Sequence, residues 1–216
     1  MKQVFVANPK GGCGKTALAT QIASYYAAQG LSVGLADHDP QRSSLDWLRC
    51  RPSRYADITP IATYSGEPIL PQKFDLVIHD MPAASSLEYI QQKARCRDKL
   101  LIPMLASPTD IKAGIRFMMM LNREGWVGGA GPEIGLVANR VRSNTNYFKV
   151  LVSFLEQVNM SLITSIRDTQ NYIRAMDSGV SIFELPKSRV AKDLLQWKPL
   201  LAWLENTVEV EAPLPA

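Results

Sequence analysis

Short, almost wholly apolar runs alternate along the chain with longer segments whose apolar positions recur at helical spacing. The first run, QVFVA at 3–7, ends at a glycine-rich turn, and KTALATQIASYYAAQG at 15–30 then shows a helical period. A continuous apolar run of this length is typical of a strand buried on both faces, and a closing glycine such as Gly30 is typical of a helix C-terminus. This stretch therefore predicts a buried strand followed by a helix.

The same alternation continues to the end of the chain. Further apolar runs predict strands at 31–37, 74–80, 99–105, 133–141 and 161–166, with one short strand, ITPIATY, inside the irregular segment 52–73. Helical periods predict helices after HDPQ, at 110–125, at about 146–158, around TQNYIRAMDSG and at about 189–207. Buried strands that alternate with helices predict an α/β fold, with a mainly parallel twisted sheet flanked by helices on both faces.

A single domain is expected, because 216 residues suit one α/β domain and show no repeat, low-complexity tract or linker. We assign residues 1–207 to this domain and residues 208–216 to an acidic, proline-containing tail. No apolar run reaches the roughly 18 to 20 residues that span a bilayer, and the first residues do not resemble a secretory signal. Cys13, Cys50 and Cys96 lack metal-ligand spacing, which favours a reducing cytoplasm.

The overall charge of the chain is small, but its basic residues are clustered in a few segments. The formal net charge is +4 and the isoelectric point is about 9.0, a small excess that does not by itself indicate a nucleic-acid-binding protein. Basic residues are concentrated in RSSLDWLRCRPSR, in KARCRDK and between Arg140 and Lys198. Such clusters are usually solvated surfaces, and they indicate a polyanionic partner only where they converge in space.

The segment NPKGGCGKT at 8–16 lies between the first predicted strand and the first predicted helix. In this context a glycine-rich turn can point successive backbone N–H groups at phosphates, with Lys15 on the β- and γ-phosphates and the Thr16 hydroxyl on Mg²⁺. The alternative, a glycine turn with surface lysines, is disfavoured by the flanking strand and helix. Pro9 stands where the usual pattern has its first glycine, and an additional lysine, Lys10, precedes the glycine pair.

Aspartates close two other predicted strands. Asp37 and Asp39 follow the second strand, and Asp80 ends the third. Because open α/β sheets bind ligands at the carboxyl edge of their strands, these carboxylates are expected to face the phosphates. His38 and His79 each neighbour one of the aspartates, and with no further ligand pattern around them they are interpreted as packing residues.

The motif KGGCGKT resembles the deviant Walker A motif, KGG-x-GK[ST], of the ParA/MinD family of ATPases. The resemblance continues in the family's order through DHDPQ at 37–41, LVIHDMPA at 76–83, LIPMLASPTD at 101–110 and VANR at 137–140. It implies a single-domain P-loop NTPase similar to the small ParF-like and McdA-like members. It also implies ATP, ADP and Mg²⁺ as ligands, and a weak ATPase activity that a partner stimulates.

By this resemblance Lys10 is the signature lysine, which reaches across an ATP-bound homodimer to the phosphates held by the other subunit. Asp39 would position the attacking water, so that Lys10, Lys15 and Asp39 are the implied catalytic residues. Thr16, Asp37 and Asp80 would serve the metal, with Asp37 acting through water or by packing and Asp80 in the outer sphere. The nucleotide would be bound by Gly11, Gly12, Cys13, Gly14, Lys15, Thr16 and Ala17, with Asn139 and Arg140 at the adenine and 107–110 near the base or ribose.

The resemblance predicts a positioning switch. The ATP-bound dimer would bind nonspecific DNA, and an adaptor similar to ParB or McdB would trigger hydrolysis and release, which segregates a plasmid or chromosome. The predicted localisation is cytoplasmic and nucleoid-associated, without a membrane partner. DNA contacts are expected from basic residues of the C-terminal half, each of which could equally be a solvated charge: Arg167, Arg174, Lys187, Arg189 and Lys192.

Three alternatives remain open. The same mechanism could position a protein organelle such as a carboxysome, or chemoreceptor clusters. A membrane switch similar to MinD is disfavoured, because the C-terminal segment is interrupted at Pro199 and ends in acidic residues. An iron–sulfur or metallochaperone role is disfavoured because Cys50 and Cys96 are isolated.

Overall fold

A parallel sheet forms the middle layer of the computed structural model, which describes residues 2–63, 74–83, 85–127, 129, 131–142, 146–157, 160 and 162–206. Its strands are β1 Lys2–Val6, β2 Val33–Asp37, β3 Thr59–Ala62, β4 Leu76–Asp80, β5 Lys99–Leu105, β6 Glu133–Val141 and β7 Leu162–Arg167. They lie in the order β3-β2-β4-β1-β5-β6-β7, and every pairing between these strands is parallel.

Helices cover both faces of this sheet. They are α1 Lys15–Ala28, α2 Ser43–Arg49, α3 Leu87–Lys93, α4 Pro108–Arg123, α5 Asn146–Gln157, α6 Gln170–Asp177 and α7 Lys187–Glu205, with a 3₁₀ turn at Ile182–Glu184. Successive side chains of a strand point to opposite faces, so β1 places Val4 and Val6 in one core and Phe5 in the other. The first core packs α1, α2, α6 and α7 around the fully buried Trp197, and the second packs α3, α4 and α5.

The predicted fold class is therefore confirmed. The short strand expected inside 52–73 is also confirmed as β3, which pairs with β2 at the edge of the sheet. Residues 64–73 and 207–216 lie outside the described residues, so the division into a domain and a tail at 207 stays a prediction. None of the helices in the described part of the chain combines the length and apolarity that a bilayer crossing requires.

Two helices differ from their predicted bounds for local reasons. The fourth helix begins at Pro108 rather than at 110, because the Ser107 hydroxyl accepts from the Asp110 N–H at 3.2 Å and proline suits the first helical position. The interruption expected at Pro199 is wrong, since α7 continues through it to Glu205. Pro199 is exposed, as is Leu195, whose carbonyl loses its usual N–H partner, so water can bond that carbonyl instead.

Candidate functional site

The loop between β1 and α1 is held in shape by a buried side chain beneath it. Asn8 Nδ2 donates to the Pro103 carbonyl at 2.6 Å, and Asn8 Oδ1 accepts from the Lys10 N–H at 2.8 Å. Asn8 is buried, so these two bonds fix the first turn of the loop from the inside. Gly12 and Gly14 have φ values of 75° and 93°, a region that glycine occupies without strain. The loop therefore folds back onto the N-terminus of α1.

A close contact with Asn139 supports the other end of the loop. Asn139 lies near the end of β6, and its Nδ2 donates to the Cys13 carbonyl at 2.8 Å. The same nitrogen would be 2.1 Å from a Cβ added at Gly14. The Asn139 amide, expected at the adenine, is therefore committed to the loop backbone, and its adenine contact stays a prediction.

The two lysines of the loop have different environments. Lys15 is 8% exposed, and its Nζ donates to the carbonyls of Asn8 at 3.2 Å and of Lys10 at 3.1 Å. Its ammonium group therefore lies against the loop's own backbone. Lys10 is half-buried, and its side chain makes no ion pair within the described part of the chain. A lysine that acts on another subunit needs an ammonium group that makes no ion pair within its own subunit.

Asp37 is fully buried and is surrounded by hydrogen-bond donors. Its Oδ2 accepts from the Ser44 hydroxyl at 2.7 Å, from the Ser44 N–H at 3.1 Å and from the Leu45 N–H at 3.2 Å. Its Oδ1 accepts from the Asp39 N–H at 2.9 Å. Since all of these donors belong to the loop after β2 and the start of α2, the geometry favours a structural role over metal support.

Asp80 is the carboxylate that faces the loop from β4. It is 2% exposed and accepts a hydrogen bond from the Thr16 side chain. Burial, with the nearby charges of Asp37 and Asp39, raises the pKa of Asp80 to about 7, although the Thr16 hydrogen bond and the charge of Lys15 act in the opposite direction. The Asp80 carboxyl therefore lies beside the Thr16 hydroxyl in a site that disfavours its negative charge.

A magnesium ion fits this arrangement. The Thr16 hydroxyl and the Asp80 carboxylate are oxygen donors of the kind Mg²⁺ prefers, and a cation would offset the burial and the charge repulsion that raise the Asp80 pKa. No group of three His, Cys, Asp or Glu side chains among the described residues is arranged to hold a metal. Mg²⁺ at phosphate sites is usually bound through phosphate and water, and an ion here would neutralise phosphate charge.

Asp39 and the residues expected near the base occupy the rim of the site. Asp39 is half-buried, and its Oδ1 accepts from the Gln41 N–H at 2.9 Å. Asp110 is buried, with one carboxylate oxygen bonded by Ser107 and the other without a partner in the described residues. Arg140 is exposed, has a φ of 51°, and lies 3.5 Å from an Asp168 oxygen. Roles for these residues toward water, ribose or adenine stay predictions.

Several supporting residues were not identified from the sequence. Asn8 and Ser44 act through hydrogen bonds that no local motif marks. His38 and His79 were interpreted as packing residues. They are buried, but their rings also bond to each other at 2.9 Å, which a reading of isolated positions could not show.

A glycine loop after the central strand of a parallel sheet, faced by carboxylates from the neighbouring strands, defines the P-loop class of nucleoside-triphosphate-binding proteins. Within that class, the chain belongs to the CobQ/CobB/MinD/ParA nucleotide-binding family, whose model matches residues 4–182. It is an ATPase of the ParA/MinD type, as the loop motif predicts.

Comparison with individual proteins agrees with this assignment. The chain is 31% identical over 199 residues to the maintenance of carboxysome distribution protein A of Halothiobacillus neapolitanus, covering 87% of this chain and 90% of that protein. An ATP complex of McdA from Cyanothece shares the fold with a TM-score of 0.70, at 20% identity and with 93% and 96% of the two chains covered. A plasmid partition protein of Borrelia burgdorferi bound to AMPPNP has a TM-score of 0.69, at 17% identity and with 94% and 99% covered.

Proposed function

We propose that the chain is an ATP-gated switch that positions cargo along nonspecific DNA, with a protein organelle of the carboxysome kind as the first candidate cargo. The observation that carries this proposal is the 31% identity, over 87% of the chain, to a carboxysome distribution protein. A plasmid or chromosome, placed first from the sequence, becomes the second candidate. It is kept because a plasmid partition protein has the same fold.

ATP-dependent dimerisation is the proposed basis of the switch. Two bound triphosphates that face each other repel, and a cation contributed by each subunit to the other's phosphates turns this repulsion into attraction. Lys10 suits this role because it makes no ion pair among the described residues. Hydrolysis with Mg²⁺, aided by Asp39 and stimulated by an adaptor protein, would remove the γ-phosphate and separate the subunits.

The proposed DNA surface is the first two turns of α7. Lys187, Arg189 and Lys192 are exposed there, and Arg174 is exposed on α6. Arg167, also predicted as a DNA contact, differs from these. Its Nε lies 2.5 Å from an oxygen of the fully buried Asp193. Because that carboxylate neutralises it, we exclude Arg167 from the proposed surface.

Replacing Lys187, Arg189 and Lys192 with alanine tests the DNA surface. Each lost phosphate contact lowers the slope of log K against log salt by about 0.9, so we expect the slope to fall by roughly 2 to 3 and affinity to fall at every salt concentration. The measurement is binding of the ATP-bound protein to a random duplex across a salt series. ADP should abolish binding, and equal binding with either nucleotide would contradict a gated switch.

A triple alanine variant of Lys112, Arg116 and Arg123 is the matched control. These residues are exposed on α4, on the opposite face of the sheet, and their removal changes the net charge by the same amount. The control should keep the wild-type slope. Equal losses in both variants would show a general charge effect and reject α7 as the DNA surface.

Deletion of the gene in its own cell tests the cargo. With fluorescent labels on organelle shells and on a resident plasmid, loss of even shell spacing at unchanged plasmid inheritance is expected. The reverse result, plasmid loss with evenly spaced shells, would favour partition and reject the first candidate.

A further inference from the structure

A chain of hydrogen bonds runs beneath α3, on the face of the sheet opposite α1. The Tyr89 hydroxyl of α3 lies 2.9 Å from His38 Nδ1, and His38 Nε2 lies 2.9 Å from His79 Nδ1. His79 Nε2 in turn lies 2.9 Å from Gln3 Oε1 on β1. Four residues from three strand ends and one helix are thus joined side by side.

The proton positions in this series of hydrogen bonds follow from the bond between Gln3 and Asp98. Gln3 Nε2 donates to Asp98 Oδ2 at 3.2 Å, so the Gln3 oxygen faces His79 and can only accept. His79 must therefore carry its proton on Nε2, which leaves Nδ1 to accept from His38. His38 then carries its proton on Nε2 and accepts from the Tyr89 hydroxyl at Nδ1. Every bond in the chain donates in the same direction, toward Asp98.

Both imidazoles are neutral in this arrangement. Each ring donates from one nitrogen and accepts at the other, which is the neutral form of imidazole. The His79 ring also stacks on Phe5, with centroids 4.2 Å apart and planes 7° from parallel. The two rings therefore have one protonation pattern and little rotational freedom.

Each imidazole lies next to a carboxylate of the site along the chain. His38 separates Asp37 from Asp39, and His79 directly precedes Asp80. The His38 N–H also donates to the Asp80 carbonyl at 3.1 Å. The residue from which the Asp39 loop departs is therefore tied to β4 twice, once by its backbone and once by its ring.

We propose that His38 and His79 are positioning residues for ATP hydrolysis, whose ring-to-ring hydrogen bond holds the loop carrying Asp39 against the strand carrying Asp80. This inference rests on the proposed role of Asp39 in placing the attacking water. The hydrogen bonds and ring contacts of the two imidazoles go to each other and to Tyr89, Gln3 and Phe5, not to the phosphate loop proposed to bind the triphosphate. Loss of the bond should therefore lower kcat without changing the affinity for ATP.

Amide isosteres can remove this bond while keeping its neighbours. An asparagine amide reaches the position of a histidine Nδ1, and a glutamine amide reaches that of Nε2. Of the two replacements, His79→Asn keeps an acceptor for His38, whereas His79→Gln keeps only the contact with Gln3. In the same way His38→Gln keeps a donor for His79, whereas His38→Asn keeps only the contact with Tyr89. Each pair loses the same ring, and each of its variants keeps one of the two ring hydrogen bonds, either the one between residues 38 and 79 or the outer one to Gln3 or Tyr89.

Steady-state ATP hydrolysis and ATP titration of the four full-length variants test the proposal. We expect kcat to fall about tenfold in His79→Gln and His38→Asn, the effect of one lost hydrogen bond of about 1.4 kcal/mol, and by less than about twofold in the other two. ATP affinity should be unchanged throughout. The double variant His38→Asn/His79→Gln should be no slower than either single variant, because both remove the same bond.

Thermal unfolding separates positioning from a merely structural role. Equal unfolding temperatures within each pair, together with unequal kcat, support the proposal. Equal kcat within each pair, or a loss of kcat that follows the unfolding temperature, overturns it. If one His79 variant does not fold, the His38 pair makes the same comparison. Asp39→Ala is measured beside them, and normal turnover in that variant would reject the role of Asp39 itself.

Discussion

Two features of the phosphate loop require a residue without a Cβ at Gly14. Its φ of 93° is strained for any residue with a Cβ, and the Asn139 amide occupies the space where that Cβ would be. Gly30 has a similar φ of 87°, but nothing lies within 4 Å of its Cβ position. An alanine at Gly30 would therefore introduce backbone strain alone, whereas an alanine at Gly14 would introduce strain and also displace Asn139.

We expect Gly14→Ala to weaken ATP binding by roughly 30- to 150-fold, since strain and the displaced Asn139 hydrogen bond together cost about 2 to 3 kcal/mol. Gly30→Ala should cost about 1 kcal/mol of unfolding free energy, from strain alone, at unchanged ATP affinity. Calorimetric titration with ATP and chemical denaturation give both quantities. Similar ATP affinities in the two variants would show that Asn139 does not hold the loop.

Which residues could be predicted depended on how far apart their partners lie. Lys15, Thr16 and the loop glycines were predictable because the motif is contiguous in the sequence. The Asn139 bond to Cys13 joins residues 126 positions apart, and the sequence predicted the residue as functional but not its partner. The His38–His79 bond depends on the register of β2 against β4, which pairs Ala36 with His79, and periodicity does not determine register.

At the scale of elements, a buried ion pair fastens the segment after α2 to the 3₁₀ turn that precedes α7. Arg51 makes two bonds to Glu184, at 2.6 and 3.1 Å, and both side chains are less than a tenth exposed. Its guanidinium also lies 5.3 Å from the centre of the Trp47 ring. Helical and strand periods predicted the elements on either side, but they contain no signal for this link between them.

Arg51→Met should lower the unfolding free energy by about 3 to 5 kcal/mol, because Glu184 is left as an unpaired buried charge. The matched control is Arg49→Met, which removes an exposed pair with Asp46 and should cost at most about 1 kcal/mol. Chemical denaturation at neutral pH measures both. If the two variants were equally stable, the Arg51 pair would not be what joins these elements.

At the scale of the whole molecule, the proposed function gives Lys10 the role of completing the site of another subunit. In an Asp39→Ala background that slows hydrolysis, ATP and Mg²⁺ should give a dimer by light scattering, whereas the additional change Lys10→Ala should weaken it at least about thirtyfold, by analogy with other interfacial cations. Lys2→Ala, an exposed lysine at the opposite end of β1, is the control. A dimer of undiminished affinity without Lys10 would refute the crossing lysine.

The fold and the place of the site were predictable because alternating strands and helices specify a parallel sheet, and parallel sheets bind ligands at one edge. The cargo was not, because all candidate cargoes use the same loop and the same carboxylates. The similarity over 87% of the chain to a carboxysome distribution protein is the reason that an organelle is proposed as the first candidate cargo.

Helix α1, which follows the phosphate loop, and its neighbour α2 both have hydrogen-bond partners far along the chain. The Ile182 N–H donates to the buried Gln21 of α1 at 2.7 Å, and the Val180 carbonyl accepts from Trp47 of α2 at 3.4 Å. A ribosome must therefore deliver more than 180 residues before either helix has all of its partners. The phosphate loop is among the first segments to be translated and among the last to become rigid. A truncated nascent chain should therefore be unable to retain ATP.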